Sequence, residues 1–192
     1  DYHFGNDSGH PSSNIPPAIA LSQQLGRNGK DLIASIVIGY EIHMRLCDAV
    51  AIPGISGRGW HTATHVQFST AALAAWLLDN DPKIIANALS ISGSHNNTLA
   101  EAQRGDIPLM KATAEAYIAK SALEASFLAS AGLTGPAAIF EGSAGWGKSV
   151  AGNVDYDVLT APLGDTYRMM SSCMKPYPAV AGAIAPIQAA ID

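Results

Sequence analysis

Five polar residues spread through the chain have side chains suited to acid–base work on a carboxylate-bearing substrate: Asp1, His10, His61, Lys111 and Lys175. Lysine binds a carboxylate as a compact positive charge, and an imidazole takes or gives a proton near neutral pH. Each of the five stands at a loop-to-helix junction or a helix end. There a side chain can reach into a cleft while packing holds its backbone. Singly, each also has an ordinary structural explanation, so spacing alone leaves the set open.

Two tighter patterns compete with it. Gly142-Ser-Ala-Gly-Trp-Gly147-Lys148-Ser149 fits the phosphate-loop pattern G-x-x-x-x-G-K-S/T. Such a loop needs a buried strand before it and a long helix after it, so that backbone N–H groups cradle phosphate. Here the preceding apolar run is only Ala137 to Phe140, and Gly152-Asn153 interrupts the segment after Ser149. Nucleotide hydrolysis is therefore set aside. His61 and His65 stand four apart, which is metal-ligand spacing on a helix, but no Glu follows His61 and no third ligand is evident. No metal or other cofactor is expected.

The elements that must position these residues are helices. One is expected from Ile15 or Pro16 to Gly26, with proline suited to the first turn. A longer one runs from about Lys30 to Val50, where Leu32, Ile33, Ile36, Val37, Tyr40 and Met44 keep a helical period. A third is expected over Thr62 to Leu78, with Ala71, Ala72, Ala74 and Ala75 as a thin, closely packable face. Its stretch from Ala71 to Leu78 reads as an exposed face wanting a partner. Asp81 suits an N-cap and Pro82 the first position of a fourth helix, through about Ser92. His95 to Pro108 reads as loop with at most one turn. Lys111 to Ala131, rich in Ala, Leu, Glu and Lys, is the clearest helix, stopped by Gly132. Gly135 to Gly147 is turn-rich, Asn153 to Thr160 suggests a short helix, Tyr167 to Met174 a strand or loop, and Ala179 onward a helix again. Strand signals are few, so the class is all-α.

Hydrophobic residues make up 48% of the 192 and charged residues 14%. That charge content is low against the roughly 25% of ordinary soluble chains, so part of the surface is expected to be covered. Net charge is −5 and basic residues are scattered singly, which excludes a nucleic-acid footprint. No apolar run reaches the length of a membrane span. Cys47 and Cys173 read as two buried free thiols in a reducing compartment, too few to ligate an iron–sulfur cluster. The ends, Asp1-Tyr2-His3-Phe4 and Gln188 to Asp192, read as the interior of a longer chain.

The strings around the five residues resemble the MmgE/PrpD family, whose best-known activity is 2-methylcitrate dehydration. His10-Pro-Ser-Ser-Asn14, with Asp1-Tyr2 upstream, is similar to the start of the family's active-site helix. Gly39-Tyr40-Glu41 and Arg45-Leu46-Cys47-Asp48-Ala49 resemble its long second helix. Gly59-Trp60-His61, Leu109-Met110-Lys111-Ala112, Gly132-Leu-Thr-Gly-Pro136, Phe140-Glu-Gly142 with Gly145-Trp146, and Lys175-Pro-Tyr-Pro178 come in the family's order. This run also accounts for the phosphate-loop match. The likeness covers essentially the whole chain.

The resemblance implies a helical-bundle domain over residues 1–165 and the start of a smaller α/β lid domain over 166–192, with the active site between the two. Asp1, His10, His61 and Lys111 match catalytic positions, and Lys175 a carboxylate-binding junction lysine. It implies a metal-free, cofactor-free hydro-lyase acting on 2-methylcitrate or a similar hydroxy-tricarboxylate, cytoplasmic and homodimeric, with no nucleic-acid or membrane partner. Decarboxylation of cis-aconitate and epimerisation of an amino-dicarboxylate are the family's other chemistries, and an inactive helical scaffold is the alternative of a different class. Three departures from the family pattern stand out: His3 and Phe4 stand where carboxylates are common, Thr62 stands where some relatives carry the imidazole, and Val180 where some have His or Cys.

Overall fold

The computed structural model describes residues 1–78 and 81–192, and these form an all-α fold. The helices are α1 (Ile15–Gln24), α2 (Gly29–Ala49), α3 (Val66–Leu77), α4 (Pro82–His95), α5 (Ala114–Ser130), α6 (Trp146–Ser149), α7 (Tyr156–Thr160) and α8 (Ile184–Ile191). Before α1 lies a small antiparallel hairpin, β1 (His3–Phe4) and β2 (Ser8–Gly9), which the sequence did not signal.

Local chemistry sets the helix ends. The Asn28 side chain accepts from the N–H groups of Lys30 and Asp31 to start α2, and Asp81 accepts from Lys83 and Ile84 to start α4. Each satisfies donors that have no partner inside the helix. Gly132, at φ 97°, takes the left-handed conformation that ends α5. Two expected helices begin differently. Thr62–His65 and Leu109–Thr113 are 3-10 turns leading into α3 and α5, so His61 and Lys111 sit on tight turns rather than on α-helix. Arg168–Ser171 is likewise a 3-10 turn where the sequence suggests a strand or loop.

α3 is the centre of the bundle. Every residue from Val66 to Ala75, and Leu77, is buried, the polar Gln67, Ser69 and Thr70 included, because α1, α2, α4 and α5 all pack on this helix. This corrects the expectation that Ala71 to Leu78 is an exposed face. Ala71 and Ala75 meet Ala88 of α4 and Ala122, Ala125 and Ala129 of α5. Small side chains let the backbones approach, and the Ser126 hydroxyl donates to the Ala71 carbonyl at 3.1 Å. At the other end of the core, Phe68 packs between Phe140 and Trp146, with ring centres 4.7 and 5.0 Å away.

The Gly142–Ser149 segment is not a phosphate cradle. The N–H groups of Gly142, Gly145, Trp146, Lys148 and Ser149 are already donated to the carbonyls of Ala138, Gly142, Ile139, Gly145 and Gly145. They form the turn and α6, and Trp146 fills the core. Among the described residues, no helix is long and apolar enough to cross a membrane.

One buried polar side chain ties the start of α1 to the core. Asn14 donates to the Pro11 carbonyl at 3.0 Å and to Gly39 of α2 at 3.5 Å, and accepts from the Thr70 hydroxyl of α3 at 3.0 Å. Asn14→Ala should leave these partners unpaired and cost about 1–3 kcal/mol. A lowered denaturant midpoint checks this; an unchanged midpoint would mean the tie contributes nothing.

Candidate active site

The hairpin that carries His10 is fastened to the bundle through Asp7. This carboxylate is 5% exposed. It accepts from His65 Nε2 at 2.9 Å, Ser56 Oγ at 2.9 Å and the Ile55 N–H at 3.3 Å, while its own N–H donates to the Cys47 carbonyl at 2.9 Å. Burial pushes the Asp7 carboxyl up, but the hydrogen bond and electrostatic pull of His65, with bonds from Ser8 and Ser56, outweigh it and hold it below its ordinary value. A second tie joins His3 Nε2 to Asp48 of α2 at 2.7 Å. β2 also presses against α2: a Cβ on Gly9 would lie 2.3 Å from His43 Nε2, so only glycine fits beside that ring.

These contacts aim His10. Its Nδ1 donates to the Asp1 carbonyl at 2.9 Å, since a carbonyl can only accept. When the ring is neutral, Nε2 therefore keeps its lone pair. Burial holds the His10 pKa below the ordinary histidine value, with Lys175 and Lys111 adding to the effect and Glu115 opposing it. Asp1 orients the ring through its backbone. Its carboxylate accepts instead from the Ser12 N–H and the Ser172 hydroxyl, both at 3.3 Å.

His61 carries the opposite tautomer. Its Nδ1 accepts from the Ala63 N–H at 2.9 Å, capping the 3-10 turn that opens α3. The proton of the neutral ring is then on Nε2, which is buried with no hydrogen-bond partner. Burial lowers its pKa, Lys111 and His10 reinforce this, and Glu115 opposes it. His65 is turned to Asp7, so the two histidines do not share a metal. Among the described residues, no three His, Cys, Asp or Glu side chains form a metal-binding group.

His10, His61, Lys111 and Lys175 line one cavity of about 570 Å³, together with Thr62 and Glu115. Asp1 lies on a neighbouring cavity that shares Lys175. Lys175 reaches the site because the chain before it is gripped by α2. The guanidinium of Arg45 donates to the Ala161 carbonyl at 2.7 Å, Glu41 accepts from the Met169 N–H at 2.8 Å, and Asp48 pairs with Arg168 at 3.3 Å. Tyr2 and Cys173 then bridge their backbones, with Lys175 5.7 Å from the Tyr2 ring centre and donating to the Ala179 carbonyl.

Sequence reasoning missed Asp7, His43 and Glu115. Glu115 stands one helical turn beyond Lys111, a spacing that could have signalled a shared face. Cys47 is buried, and burial, then Asp7 and Asp48, push its thiol up, as suits an inert side chain; Cys173 is exposed, contrary to expectation.

The family model for the MmgE/PrpD N-terminal domain matches residues 1–159.

Proposed function

Because the chain belongs to the MmgE/PrpD family, we propose that it serves a hydro-lyase dehydrating 2-methylcitrate or a similar hydroxy-tricarboxylate by acid–base catalysis. The observation that carries this reading is the meeting of two lysines and two oppositely protonated imidazoles on one cavity. Lys111 and Lys175 bind substrate carboxylates, and Lys111 also stabilises the enolate that develops when the proton alpha to a carboxylate is removed. His10 Nε2 takes that proton. The unpartnered His61 N–H donates a hydrogen bond to the departing hydroxyl. The proton held by His10 balances the one hydroxide needs to leave as water, so the site returns to its starting charge. Asp1 holds His10 in the required tautomer.

The reading extends to a cytoplasmic location, supported by the two free thiols Cys47 and Cys173, and to a homodimer, supported by the low charge content and by exposed apolar side chains such as Leu109 and Tyr117. A monomeric mass in light scattering would remove that part.

The test is a proton NMR time course of the full-length protein with 2-methylcitrate and, separately, cis-aconitate, each with a chelator. A new olefinic product from 2-methylcitrate is expected. Itaconate from cis-aconitate would move the chemistry to decarboxylation, and silence with both would remove the reading. Lys111→Ala should lower kcat/KM at least about 10²-fold, or about 2.7 kcal/mol at the transition state; a near-normal rate would refute its role.

A further inference from the structure

Glu115 is the only acidic side chain among the described residues lining the cavity. A carboxylate is costly in a place that must hold a polyanion, since like charges repel across a partly desolvated cleft. Its presence calls for a compensating use. The geometry is specific. Glu115 lies in the first turn of α5, where the helix end favours negative charge. The Ser13 hydroxyl, from the turn just after His10, donates to Oε2 and holds the carboxylate against the start of α1. Its charge is felt by both His10 and His61.

We propose that Glu115 is a positioning residue whose fixed charge stabilises the imidazolium formed when His10 takes the substrate proton. This rests on the dehydratase reading. The proton moves from substrate carbon to His10 Nε2 and then to the leaving hydroxide, and no bond to Glu115 forms or breaks. His10 is faced by Glu115 from the first turn of α5, by Lys111 from the 3-10 turn before it, and by Lys175 from the segment after Cys173. His61 is faced by Glu115, Lys111 and His10. Glu115 is the negative member of both sets, so its removal leaves each imidazolium opposed only by positive neighbours and burial.

The test is Glu115→Gln in the full-length protein, read in two ways. Without substrate, NMR titration of the His10 ring signals should show its midpoint moving to lower pH. With substrate, kcat should fall roughly tenfold, the scale of one screened charge near the reacting centre. KM should hold or fall, because a negative charge has left an anion site. The acid limb of the kcat/KM profile should move down with the His10 midpoint, and Glu115→Asp should recover part of the loss. Ser13→Ala, which frees the carboxylate without removing it, should act in the same direction more weakly. An unmoved His10 midpoint, or a raised KM at unchanged kcat, would overturn the proposal. Lack of turnover in the wild-type protein would count against the dehydratase reading alone, because the titration needs no substrate.

Discussion

Replacing His10 by glutamine is expected to lower kcat/KM by about 10²–10⁴-fold, the range over which a positioned general base accelerates proton removal. The glutamine amide still offers a hydrogen-bond donor to the Asp1 carbonyl, so the local fold should persist while the basic nitrogen is gone. The pH profile separates this role from binding. His10 must be neutral to act, and burial, reinforced by the lysines and opposed by Glu115, holds its pKa below the ordinary value near 6.5. Activity of the wild-type protein should therefore continue below pH ~6.5 before the acid limb falls. In His10→Gln the limb set by this ring should vanish and the residual rate should lose that dependence. A variant with full kcat and an unchanged acid limb would assign the proton to another group, His61 first, since it lines the same cavity.

Asp7→Ala is expected to be the most damaging single change to stability, at about 3–5 kcal/mol, the cost of leaving one partner of a buried charged or strongly hydrogen-bonded pair unmet. Three donors lose their acceptor at once: His65, Ser56 and the Ile55 amide. His65 already has Nδ1 buried without a partner, so its ring would then have neither nitrogen bonded. The pH dependence has a definite sign. The Asp7 carboxyl is held below its ordinary value of 3.8 in the folded protein. Its contribution is thus fully present above that value and is lost as pH falls through the lower folded one. The stability gap between wild type and Asp7→Ala should be constant near neutral pH and close in the acid range. A gap under about 1 kcal/mol at pH 7, the scale of an exposed pair, would show that the hairpin is held by other contacts.

The two variants probe linked parts of one arrangement. Asp7 fastens the hairpin to the loop before α3, and the hairpin delivers His10 to the cavity. Asp7→Ala should therefore also reduce activity. That loss should recover as substrate stabilises the fold, whereas His10→Gln should stay slow at saturating substrate.

Much of the fold was legible because it rests on local signals. The caps at Asp81-Pro82, the stop at Gly132, the apolar period of α2 and the composition of α5 are each contained within a few turns of chain. Helix boundaries shifted where tight turns precede α3 and α5. His61 spends its side chain capping the first of these turns, a use that histidine's type does not announce.

The sequence by itself determined the helical class, the family, and the polar residues suited to a carboxylate substrate, because motif strings and helical period are written in neighbouring positions. The tertiary structure decided which of these residues meet. It brought His10, His61, Lys111 and Lys175 to one cavity and turned the Asp1 carboxylate toward Ser12 and Ser172. It buried the alanine face of α3 inside the bundle and made Asp7 with His65, and Glu115 with Ser13, into pairs. Those pairs join positions 58 and 102 residues apart. No local propensity encodes such a contact; it exists only once the packing of α3 against α5 and α2 has closed the chain around it.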